Sequence, residues 1–185
     1  DICLGLNRRD YSLVKAVIKG DRKVVEMDLK IYSRCLSLLL RHQPVSRDLR
    51  HISTALKVVT DLERIGDHAA DIAELTIQMK DNCSFENVKH LPAMVENVSS
   101  MLRDAIQAFI ERDTEAAEQI ELRDDIIDAL FDKVKDEVVE LLKSDSSQSD
   151  MAVDLLMLAK YLARVGDHAV NVFDGTEFSG PGGGH

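Results

Sequence analysis

Apolar residues recur at intervals of three and four along most of this chain, the pattern of helices that bury one face. From Val45 to Met79 the stripe runs through Leu49, Ile52, Leu56, Val59, Leu62, Ile65, Ala69 and Ile72, which predicts one long helix. Pro44 suits its first turn, where a missing N–H costs nothing. Between Met101 and Leu142 the stripe passes through Leu102, Ala105, Ile106 and Phe109, then Ile120, Ile127, Leu130, Val134, Val138 and Leu141. The turn at Arg112 and Asp113 divides it into two helices, with Asp113 a good N-cap. Lys143 to Asp150 is a polar loop, and Met151 to Phe173 reads as the last helix.

The pattern is repeated. Leu62-Glu-Arg-Ile-Gly-Asp-His-Ala69 returns as Leu162-Ala-Arg-Val-Gly-Asp-His-Ala169, with two differences. Leu56-Lys-Val-Val59 matches Leu156-Met-Leu-Ala159 in pattern, and Asp71-Ile-Ala aligns with Asn171-Val-Phe. Further back, Gly20-Asp21 matches Arg112-Asp113 as an inter-helix turn, and Leu36 to Leu40 matches Val138 to Leu142. Each unit therefore reads helix, turn, helix, loop, helix. The expected fold is all-α, with two tandem three-helix bundles over residues 1–82 and 88–174. The polar stretch from Asn82 to Pro92 separates them.

The first unit and the two ends modify this picture. From Asp21 to Leu40 is 19 residues, against 29 from Asp113 to Leu142. Ten residues correspond to about 15 Å of helix, so a stretch between Asp21 and Asp28 is expected to be missing from the first unit. The chain also enters abruptly at Asp1, as if inside a longer helix. Residues 175–185, ending Gly-Pro-Gly-Gly-Gly-His, read as an expression linker and tag outside the fold.

Composition narrows the function classes. Of 185 residues 45% are apolar, enough for a sizeable core, while aromatics are 4% and Trp is absent. That disfavours a β-sandwich and a base-stacking surface. A net charge of -10 argues against nucleic acid, because phosphate binding needs excess Lys and Arg. Cys3, Cys35 and Cys83 are odd in number with no Cys-x-x-Cys, which points to a reduced, cytoplasmic compartment. No apolar run approaches the ~18 residues of a membrane span.

The candidate chemistry is carboxylate. Glu63, Asp67 and Asp71 stand four apart on one side of a helix, where like charges repel. Glu121, Asp125, Asp128 and Asp132 form a stripe in the second unit, and Asp124 and Asp128 add an i, i+4 pair. If that helix packs on the last one, these acids meet Asp167. Either the acids form a solvated face, or they hold a hard cation that takes several oxygens. His68 and His168 each follow the repeated Asp and sit about 100° round the helix from it. A partly buried histidine bonded to a neighbouring helix suits them better than a metal ligand. Arg64 and Arg164 suit ion pairs with nearby carboxylates. Gly66 and Gly166, each costly inside a helix, suggest close approach by neighbouring backbone. A phosphate loop, a nucleophile elbow and His-Glu-x-x-His are all missing from the sequence, so no enzyme is expected.

Arg41-His-Gln-Pro-Val-Ser-Arg-Asp-Leu-Arg50, followed by Ala55-Leu-Lys-Val-Val-Thr-Asp-Leu-Glu-Arg-Ile-Gly-Asp-His-Ala69, closely resembles the PhoU family. Tyr161-Leu-Ala-Arg-Val-Gly-Asp-His-Ala169 resembles that family's second copy, and the likeness spans about Asp10 to Asp174. The resemblance implies two three-helix bundles with approximate internal twofold symmetry. It also implies a cytoplasmic negative regulator of the phosphate-starvation response that modulates high-affinity phosphate uptake. The implied partners are the ATP-binding subunit of a phosphate transporter, a sensor histidine kinase and a second copy of the chain. Arg64, Arg164, His68 and His168 are the candidate partner-binding residues. The family's Glu/Asp-x-x-x-Asp motifs are associated with multinuclear iron or zinc. They map onto Glu63 to Asp67, Glu121 to Asp125 and Asp124 to Asp128, with Asp71 and Asp167 beside them. Ala163 stands where the second copy would have an acid, so metal occupancy is expected to differ between the copies. The alternative reading is a metal store or metal-dependent hydrolase built on the same carboxylates.

Overall fold

A computed structural model of the protein describes residues 27, 29–41, 46–79 and 88–179. Every element among these residues is a helix. They are α1 (29–41), α2 (Ser46–Gln78), α3 (Leu91–Glu111), α4 (Ala117–Ser144) and α5 (Ser149–Ser179), with a short 3-10 turn at Ser146–Gln148. The stretch between Asp21 and Asp28, where a deficit is expected, lies outside the described residues except for Met27, which is helical. Pro44 and residues 180–185 also lie outside them.

Local chemistry sets the helix ends. Helix α3 starts at Leu91, with Pro92 in its first turn, where a fixed φ is already helical. Glu137 of α4 accepts from the His90 backbone N–H at 3.2 Å, and its other oxygen lies 2.7 Å from His90 Nδ1. One carboxylate thus caps α3 and ties its start to α4. At the far end Arg112 is left-handed, with φ 58°, and its N–H returns to Ala108 O. Asp113, expected to cap α4, instead accepts from the Glu115 N–H at 2.9 Å and shapes the turn. Helix α4 therefore begins only at Ala117, and Ala116 occupies its N-cap position without a side-chain cap. Asp145 shapes the next connection by accepting from the Ser147 N–H at 3.0 Å and from Gln148 Nε2 at 2.7 Å.

Helix α5 lies at the centre and packs against α2, α3 and α4. Its residues Ala152, Leu155, Leu158, Ala159 and Ala169 are fully buried. They join Met94 and Met101 of α3 and Ile120, Ile127 and Val134 of α4 in one continuous core. Helices α3, α4 and α5 form the three-helix bundle of the second unit. Helix α2 is the last helix of the first unit and lies along α5. Asp61 of α2 meets His168 of α5, and His68 of α2 meets Tyr161 of α5. These two contacts exchange when the copies exchange, which is the internal twofold relation.

Two further expectations are corrected. Residues 175 and 176 are not a tail: α5 runs to Ser179, and Thr176 is fully buried. Gly166 is not a point of backbone approach, because a Cβ there would meet only the Ile127 side chain, at 3.6 Å. The tight approach is at Gly175, where a Cβ would stand 2.5 Å from Val58 Cγ2. Valine is stiff about χ1 and cannot easily swing aside.

Gly166→Ala should therefore raise the urea midpoint, since alanine gains up to about 1 kcal/mol in a helix. Gly175→Ala should lower it, because overpacking costs about 1–3 kcal/mol. Equal midpoints for the two variants would contradict this packing.

Candidate functional site

The repeated signature brings a polar cluster to the α2–α5 contact. Asp61 is only 7% exposed and follows the apolar register of Val58, Ile65 and Ile72. A buried carboxylate is costly unless hydrogen-bonded. Asp61 Oδ1 is 2.8 Å from His168 Nδ1 and accepts from Asn171 Nδ2 at 3.1 Å. Both partners come from α5, so the two copies are clasped by one oxygen.

His68 occupies the equivalent place in the first copy but has different neighbours. Its ring stacks on Tyr161 at 5.6 Å and on His168 at 5.7 Å. Its Nδ1 is buried without a hydrogen-bond partner among the described residues, and Asp71 Oδ2 lies 3.5 Å away. That separation is longer than an ordinary hydrogen bond, and the contact is ionic only when His68 is protonated. Burial holds the His68 pKa below its usual value; Asp71 opposes the shift, while His168 and Arg164 add to it.

The acidic residues singled out in the sequence divide between two places. In the first copy, Asp67 pairs loosely with Arg64 at 3.6 Å and Asp71 lies beside His68, while Glu63 is partly buried. In the second, Asp124 is drawn up from its usual pKa by burial and then by the charges of Asp128, Asp167 and Asp125. Asp124, Asp125, Asp128 and Asp167 therefore share one electrostatic neighbourhood. Glu121, Asp125, Asp128 and Asp167 are exposed, as is Arg164. Ala163 is buried in the core. Oxygen donors of this kind suit a hard cation. Among the described residues, however, no three His, Cys, Asp or Glu side chains close around a point that would hold a metal ion.

Sequence reasoning missed Asp61, Tyr161, Asn171 as a donor, and the His90–Glu137 cap. The signal for Asp61 is a carboxylate standing within an apolar stripe. Tyr161 and Asn171 are positions where the copies differ, and a search for identity passes over them.

These features define an all-helical protein of two packed repeats, joined through the last helix of each. The PhoU domain model matches residues 1–76 and again 91–175. The chain belongs to the PhoU family. It is 34% identical over 177 residues to the phosphate-specific transport system accessory protein PhoU homolog of Clostridium acetobutylicum, covering 95% of this chain and 81% of that one. It is 37% identical over 173 residues to PhoU homolog 1 of Methanothermobacter thermautotrophicus, covering 91% and 78%. Among solved structures, PhoU from Pseudomonas aeruginosa superposes with a TM-score of 0.90 at 27% identity, over 97% of this chain and 86% of that one. The phosphate transport system regulatory protein PhoU from Streptococcus pneumoniae gives 0.84 at 28%, over 98% and 85%.

Asp61→Ala would leave the His168 and Asn171 donors without their acceptor, at a cost of about 1–3 kcal/mol in urea unfolding. A loss within error of zero would contradict the clasp. Asp124 has the opposite sign. A carboxyl whose pKa is raised on folding binds its proton more tightly in the folded state, so its ionisation weakens the fold as pH rises from near 3.8 through the raised value. Asp124→Asn should stabilise the protein at neutral pH, and the gain should shrink as pH falls through that window. A gain independent of pH would contradict this assignment.

Proposed function

We propose that this protein is an accessory regulator of phosphate transport that acts by docking. Its partners in this reading are the ATP-binding subunit of a phosphate transporter and a sensor histidine kinase, and its effect is to restrain the phosphate-starvation response. The supporting observation is membership of a family whose curated relatives carry the name of phosphate-specific transport system accessory protein. No helix among the described residues is long and apolar enough to cross a membrane, so contact with a transporter in this reading is made through a protein surface. The exposed Arg64 and Arg164 and the acidic group around Asp124 are among the charged features available to such a surface.

A metal role is the second reading, favoured by the mutual repulsion of Asp124, Asp128 and Asp167. Iron or zinc bound there would relieve that repulsion, and binding would have to draw the carboxylates together.

Co-purification of the transporter ATPase with this chain tests docking. Retention is expected with the native chain and a several-fold loss with Asp67→Ala and Asp167→Ala combined. Undiminished retention would remove these acids from the docking surface, and no retention by the native chain would contradict the docking reading. Metal analysis of untagged protein tests the second reading, which predicts bound iron or zinc that is lost with Asp167→Ala.

A further inference from the structure

The two copies share the signature histidine, but the residues facing it differ. Asp61 corresponds to Tyr161, and Asp71 corresponds to Asn171. In the observed pairing Asp61 receives His168 and Asn171, while Tyr161 stacks on His68. Consider instead α2 of one molecule meeting α2 of a second about the same axis. Asp61 would still face a histidine, His68. In the place from which Asn171 now donates, it would face Asp71. Two carboxylates would then oppose each other, and Asp61, 7% exposed, would lose the amide donor that now offsets its burial.

We propose that Asp61 and Asn171 form a specificity pair, which joins the two copies of one chain to each other and disfavours pairing between the first copies of two chains. An amide is required at position 171 because it donates to the buried carboxylate. The acid at position 71 is tolerated because Tyr161, not a carboxylate, stands across from it. This inference concerns assembly and is independent of the regulatory reading.

Exchanging the two side chains tests it. The double variant Asp71→Asn, Asn171→Asp keeps composition and net charge. It sets a carboxylate against Asp61 within the chain and an amide against Asp61 between chains. Light scattering coupled to size-exclusion chromatography should show a species of about twice the native molar mass, as expected for exchanged halves. Adding Asp61→Asn should remove the repulsion and return the native mass. An unchanged mass and an unchanged melting temperature in the double variant would overturn the proposal. If the double variant does not fold, Asn171→Asp alone is compared with and without Asp61→Asn. Recovery of the melting temperature on adding Asp61→Asn supports the pair, and additive losses overturn it.

Discussion

The burial of α5 on three sides is the constraint on which the rest depends. A helix of 31 residues that touches α2, α3 and α4 at once has little surface left for water. Small residues make this possible: Ala152, Ala159 and Ala169 are fully buried, and Gly175 lets Val58 come within a distance that a side chain would forbid. The helix belongs to the second bundle by sequence, yet its other side supplies the contact with the first. The two units are therefore joined through a shared core, not through a linker alone.

Such a shared core leaves few places for polar atoms, and each has a consequence. Burial of Asp61 is offset by His168 and Asn171, and the trio fixes the axial register of α2 against α5 in a way that apolar packing does not. Adjacent residues on α5 then look in different directions. Asp167 contributes to the acidic group of the second bundle, while His168 faces the first. The charged face and the joint between the units are thus carried by consecutive residues of one signature.

Much of the architecture is legible in the sequence because helices and repeats leave periodic traces. The apolar stripe outlines α2, and the repeated signature places α5 as its counterpart. The starts of α3 and α4 are less legible, since one depends on Glu137, far away in sequence, and the other on a turn formed by Asp113. The acids of the second bundle are readable as a group, but their failure to close around one point is not. That depends on rotamers and on packing. Gly166 misleads because a costly residue in a helix does not reveal which neighbour, if any, requires it. Asp61 is hard to single out because it matters through residues more than a hundred positions away.

The clasp between α2 and α5 is tested most directly by a double-mutant cycle between Asp61→Ala and His168→Ala, measured by urea unfolding of the full chain. A favourable coupling of about 0.5–3 kcal/mol is expected, as for groups in one buried hydrogen-bonded network. Strict additivity of the two losses would contradict it.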